Sequence, residues 1–149
     1  MITPGRAAGI LLIVALGATG CDEKLSEVTG PTPNLQPTFS SIQRDILQAS
    51  DSSGRAACTN CHTTQGRTPA GGLNLVGDAA YAQLVNVPSR GRPDLLRVSP
   101  GNPDASYLIH KLEGAPDIAG ARMPLRGPFL TAGQVLVIRR WIALGAANN

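Results

Sequence analysis

The feature that most constrains this chain of 149 residues is the motif C-T-N-C-H at residues 58–62. Two cysteines three positions apart lie on one face of a tight helical turn, and the histidine that follows projects from the same turn. Besides the motif, the sequence contains one cysteine, Cys21, and one histidine, His110. The fold therefore has to be built around whatever group this turn binds.

C-x-x-C-H is the pattern to which haem is attached covalently. The thiols of Cys58 and Cys61 add to two vinyl groups, and His62 reaches the iron. Two other interpretations stay open. A disulfide or a thioredoxin-like redox pair is one, although no βαβ pattern surrounds the motif. A zinc site is the other, but it needs four ligands and His110 is the only remaining histidine. The motif thus predicts one haem c.

The first 20 residues have the pattern of an export signal. One basic residue, Arg6, precedes an apolar run at residues 7–16, and small residues follow before Cys21. The run is shorter than the roughly 20 apolar residues that span a membrane. Residues 16–21 resemble the lipobox of bacterial lipoproteins, which implies that Cys21 carries a lipid anchor. Cleavage by an ordinary signal peptidase, with Cys21 free or removed, is the alternative. The expected location is the periplasm or the cell surface.

Composition divides the remainder into a tether and one domain. Residues 21–38 are polar and rich in proline, which predicts a flexible, extended tether. Residues 39–149 are enough for one small domain. With 3% aromatic residues its core is modest, so a bound haem would help to fill it. The 13 basic and 10 acidic residues are nearly balanced and scattered, which gives no support for a nucleic-acid partner.

Hydrophobic periodicity predicts an all-α domain of about four helices with long loops and no strand. The first helix is expected at residues 39–49, where Ser40 and Gln43 have the spacing of a capping box. The second is expected to begin after Asp78 and to end before Pro88.

The third and fourth helices have stronger boundary signals. Asn102 followed by Pro103 predicts the start of the third helix, and Gly114 its end. Thr131 and Gln134 form the capping box of the fourth. The expected buried residues of this last helix are Val135, Ile138, Trp141, Ile142 and Leu144.

The second axial ligand of a haem iron is usually methionine or histidine. Beyond the motif and the initiator, the sequence offers Met123, in a loop bounded by glycine and proline, and His110, on the third predicted helix. The residues alone leave three possibilities: Met123, His110, or an open position. The arginines at positions 90, 92 and 97 could pair with the propionates of a haem, but they are interpreted as solvated loop charges and left out of the predicted site.

From residue 39 to residue 146 the chain resembles a class I bacterial cytochrome c domain. The resemblance rests on the order of a helix, C-x-x-C-H, G-G-L-N-L at residues 71–75, P-G-N-P-D-A-S-Y-L at 100–108, R-M-P at 122–124 and a terminal helix with Trp-Ile. It implies a class I cytochrome c-like fold around one haem. It also implies that His62 is the proximal iron ligand and Met123 the distal one.

The expected function is that of a one-electron carrier outside the cytoplasm, which exchanges electrons with redox partner proteins and is held at the membrane by lipid. Catalysis is not expected, because the sequence offers little distal acid and base. The alternative is a haem-based sensor, in which the sixth iron position is open or bound by His110.

Overall fold

The computed structural model describes residues 34–149, and the predicted signal, Cys21 and most of the tether lie outside this range. Within it the protein is all-α, with helices α1 (Phe39–Ile42), α2 (Ala79–Leu84), α3 (Tyr107–Glu113) and α4 (Ala132–Ala143). Helix α1 continues directly into a π-helical segment, Gln43–Leu47. Extended pairings in this range are isolated β-bridges only. No helix within residues 34–149 has the length and apolarity needed to cross a membrane.

The first helix begins at Phe39, as predicted, but its cap is a different residue. Thr38 is the N-cap, because its hydroxyl accepts a hydrogen bond from the backbone N–H of Ser41. The predicted capping box of Ser40 and Gln43 is wrong, since the Gln43 side chain donates to the carbonyl of Gly77 across the fold at 2.6 Å. The helix ends at Leu47, two residues before the expected end.

Helices α2 and α3 are shorter than predicted because their flanking backbone bonds to an extended segment at residues 96–98. Asn86 donates to the carbonyl of Val98, which draws the chain away from α2. Asp78 precedes α2 as expected but makes no side-chain cap. Tyr107 and Leu108 donate to the carbonyls of residues 96 and 97, so α3 begins at Tyr107 and the predicted start at Asn102 is wrong.

Helix α4 matches its sequence signals most closely. Thr131 and Gln134 form the predicted capping box, with both reciprocal hydrogen bonds present. Four of its five predicted core residues are buried. The exception is Leu144, which is 66% exposed. The helix ends before it, and the turn at Gly145, with φ of +99°, directs Ala146 into the core instead.

The core lies between the first and last helices. Trp141 packs against Phe39 with ring centroids 5.5 Å apart, and its indole N–H donates to the carbonyl of Ala147. Leu35 also belongs to this core, so the packed domain reaches into the segment predicted as a tether. Asn149 bonds to the N–H groups of Phe39 and Ser40, which joins the C-terminal residue to the start of α1.

Candidate functional site

A cavity of about 300 Å³ lies between the helices, at the lower end of the size range of ligand sites. Cys58, His62 and Met123 all line it. The surrounding wall is mostly aliphatic and comes from the π-helical segment and from helices α2, α3 and α4. Its buried apolar members include Leu47, Leu75, Leu84, Leu112, Leu130 and Ile138. A thiol, an imidazole and a thioether, each able to form a bond to a ligand or a metal, thus line one largely apolar cavity.

The C-x-x-C-H motif forms a 3₁₀ turn at Cys58–Asn60, as its spacing predicts. The carbonyl of Cys58 accepts hydrogen bonds from the N–H groups of Cys61 and His62, at 3.2 and 2.9 Å. Both cysteines are free thiols. Cys58 faces the cavity, whereas Cys61 is exposed and lies outside its lining.

Cys58 lies against the π-helical end of the first helix. Its Sγ is 3.9 Å from the carbonyl oxygen of Ile46, and the same oxygen accepts a hydrogen bond from the buried guanidinium of Arg55 at 3.0 Å. Burial raises the pKa of the Cys58 thiol, while the charge of Arg55 acts in the opposite direction. The thiol is therefore protonated at neutral pH. Arg55 is itself held by Asp51 at 2.9 Å.

The imidazole of His62 is partly buried at the cavity wall. Burial lowers its pKa, and the positive charges of Arg97 and Lys111 act in the same direction. The carbonyl groups of Ala70 and Leu73 lie near the ring and oppose this effect, but Nδ1 is buried without a hydrogen-bond partner. The ring is therefore neutral, with a lone pair available to a ligand.

Met123 reaches the cavity from the loop that follows α3. Its backbone N–H donates to the carbonyl of Lys111 at 2.8 Å, and its side chain packs against the core. His110, the other candidate from the sequence, is outside the cavity lining. Its Nδ1 lies 3.2 Å from both carboxylate oxygens of Asp117, and its Nε2 is 2.7 Å from the carbonyl oxygen of Asp104.

Two arginines that were interpreted as solvated loop charges belong to this site. Arg90 and Arg97 both line the cavity, and Arg97 is 9% exposed. Only Arg92 matches the expectation, since it forms surface ion pairs with Asp94 and Asp117. The sequence carries one signal for Arg97, its position within the apolar stretch L-L-R-V at residues 95–98. Nothing comparable marks Arg90.

Comparisons with protein-family models, with curated proteins and with solved structures gave no match for this chain. Among residues 34–149, no three histidine, cysteine, aspartate or glutamate side chains are gathered as a metal-ligand group. The function has to be argued from the cavity itself.

Proposed function

We propose that the chain is a monohaem cytochrome of class I type, which carries single electrons outside the cytoplasm. In this proposal Cys58 and Cys61 would hold one haem c covalently, and His62 and Met123 would bind its iron. A lipid on Cys21 tethers the protein to a membrane, where it exchanges electrons with protein partners.

The proposal rests on one observation: a thiol, an imidazole and a thioether all line one largely apolar cavity. Cys58 and His62 come from one turn, while Met123 comes from a loop more than 60 residues later in the chain. Thioether attachment with histidine and methionine ligation uses this set of groups. An aliphatic lining also suits the macrocycle, which is largely apolar. The residues present therefore fit a haem c.

Each of these side chains has a task that follows from its surroundings. The Cys58 thiol faces the cavity, where it would hold a haem by a thioether, the S–H adding across one vinyl C=C with no leaving group. The neutral His62 ring offers one nitrogen to a metal, and the carbonyls of Ala70 and Leu73 lie close enough to orient the other. A haem bound there supplies a one-electron couple whose potential depends on its axial ligands and its burial.

The surroundings of His110 favour Met123 as the distal ligand. Both ring nitrogens of His110 already face acceptors, on Asp117 and Asp104, and the ring stays outside the cavity. The cavity also favours a carrier over an enzyme. Among the described residues that line it there is no aspartate or glutamate to act as a distal acid or base.

The test is a visible spectrum of the full chain, co-expressed with a c-haem maturation system in a bacterial periplasm. Met123→Leu keeps the apolar volume but removes the sulfur, and His110→Gln is its matched control. We expect a covalent c-type spectrum in all three proteins. The far-red sulfur-to-iron band of the oxidised protein should be absent from Met123→Leu alone.

Other outcomes would contradict the proposal in separate ways. A protein without covalent haem would exclude the whole function. A band that survives in Met123→Leu and is lost in His110→Gln would assign the distal position to His110. Rapid carbon monoxide binding by the reduced wild-type protein would indicate an open site and therefore a sensor.

A further inference from the structure

The cavity has an excess of positive charge. Arg90, Arg97 and Lys111 line it, and among the described lining residues no carboxylate balances them. Elsewhere on the described surface, arginines are balanced by carboxylates: Arg92 and Arg139 each form ion pairs with two of them. Unbalanced cations at a largely apolar site indicate that an anionic part of a ligand completes it.

Lys111 is already engaged by the loop that carries Met123. Its Nζ donates to the carbonyl of Ala119 at 2.9 Å and also to the carbonyl of Ala121. These bonds use two of its three N–H donors. Lys111 therefore holds the loop in place and is not the residue best suited to a ligand.

Arg97 is fixed by neutral groups only. Its guanidinium donates to the carbonyl of Gln83 at 2.8 Å and to those of Gly72 and Gly71 at 3.2 and 3.4 Å. Carbonyl acceptors set the orientation of a guanidinium, but they leave its full positive charge. Burial, followed by the charge of Arg90, lowers the pKa of Arg97, as expected for two cations that lie near each other.

Arg90 is exposed, so it stands at the rim of the cavity, and within residues 34–149 it has no hydrogen-bond or ion-pair partner. Its guanidinium packs over Gly72, where an added Cβ would come within 2.5 Å of its Cζ. The pair Gly71-Gly72 thus supports both arginines: two carbonyls bind Arg97, and the bare backbone of Gly72 accommodates Arg90.

We propose that Arg90 and Arg97 form a binding site for the two propionate carboxylates of the bound haem. The inference rests on the proposed function, and it assigns the orientation of the ligand: the propionate edge faces Arg90 and Arg97, on the side of Gly72. Guanidinium groups suit this task because their planar N–H donors match carboxylate oxygens. Arg97 provides the buried contact and Arg90 the contact at the rim.

The consequence is electrostatic as well as structural. Two cations beside the haem favour the reduced iron, which carries one positive charge less. They also keep the propionates ionised, because nearby opposite charges lower the pKa of a carboxyl group. With both arginines in place, the reduction potential should be high and nearly independent of pH around neutrality.

The experiment is an optical redox titration of the haem-loaded full chain from mildly acid to mildly alkaline pH. The variants are Arg90→Gln, Arg97→Gln and Arg97→Lys, and Arg92→Gln is the control in the same loop. Arg90→Gln removes no hydrogen bond or ion pair within residues 34–149, so a change in its potential reports the lost charge and not a change in folding. Arg97→Lys keeps the positive charge but loses the planar pair of N–H donors that a guanidinium offers to a carboxylate.

We expect a lower potential in Arg90→Gln and in Arg97→Gln, with a new dependence on pH, while Arg92→Gln behaves as the wild type. Arg97→Lys should keep most of the potential. Wild-type potential and pH profile in Arg90→Gln and Arg97→Gln together would overturn the inference. Failure of the proposed function is distinguishable from this result, since it appears as a wild-type chain without covalent haem.

Discussion

The cavity has two unlike walls. The cysteine wall, residues 58–62, is a single turn closed by hydrogen bonds from Cys61 and His62 to the carbonyl of Cys58, and the carbonyls of Cys61 and His62 accept the N–H groups of Ala70 and Leu75. The methionine wall, residues 119–123, makes its bonds to α3, through the Lys111 carbonyl and ammonium and the Tyr107 hydroxyl. The first wall has hydrogen bonds within its own turn as well as to later residues, whereas the bonds of the second run to α3. The difference implies that the cysteine wall withstands changes elsewhere better than the methionine wall does.

Under the proposed function, the largest effect is expected from removing both thiols of the cysteine wall. Cys58→Ala combined with Cys61→Ala should abolish covalent haem, because no other thiol lies in the described domain. Haem staining of a denaturing gel measures this directly. Met123→Leu should stain as strongly as the wild type, since the methionine wall supplies no covalent bond. Equal loss of stain in both variants would contradict the distinction between the two walls.

The second prediction concerns the ion pair that supports the cysteine wall. The side chains of Arg55 and Asp51 are 0% and 9% exposed, and their nearest atoms are 2.9 Å apart. Asp51→Ala leaves the Arg55 charge buried and unpaired, which should cost about 3–5 kcal/mol in free energy of unfolding. Urea denaturation of the haem-free chain measures it. Asp94→Ala, in the exposed pair with Arg92, should cause almost no change.

The same pair has a defined pH dependence. Burial raises the pKa of Asp51, but hydrogen bonds from Ser53 and Arg55 outweigh burial, so the pKa lies below its usual value of 3.8. A lowered carboxyl pKa contributes stability that is complete above the usual value and is lost as pH falls through the folded-state pKa. The difference between wild type and Asp51→Ala should therefore shrink in acid below about pH 4. A difference that stays constant down to the folded-state pKa would argue against a charge effect.

The smallest effect is expected from loosening the methionine wall alone. Tyr107→Phe removes the hydroxyl that accepts the N–H of Ala119 at 2.8 Å, at a cost of about 1 kcal/mol. In the haem-loaded protein, imidazole should then displace Met123 up to about fivefold more readily. Tyr81→Phe is the control, because its hydroxyl bonds to Ala146, away from this wall. Equal imidazole binding by both variants would show that the Tyr107 bond does not hold the loop.

Local signals predicted the parts of the fold whose bonds close within one turn. The capping box of Thr131 and Gln134 and the turn at residues 58–62 are examples, since their partners lie three or four residues apart in sequence. The end of α3 at Gly114, with φ of +77°, follows the same rule. The capping box predicted at Ser40 does not form, because the Gln43 side chain donates to the carbonyl of Gly77, which lies far away in sequence.

The sequence by itself determined the candidates for the site: one C-x-x-C-H turn, one other histidine and one methionine after the initiator. Tertiary structure decided which of these share a cavity. It placed Met123 and His62 in the lining of one cavity, left His110 outside it, and put Arg97 in its buried wall and Arg90 at its rim. The physical reason is that burial and charge balance depend on segments far apart in sequence, which meet only in the folded chain. Residue type and spacing in the sequence say little about which distant segments come into contact.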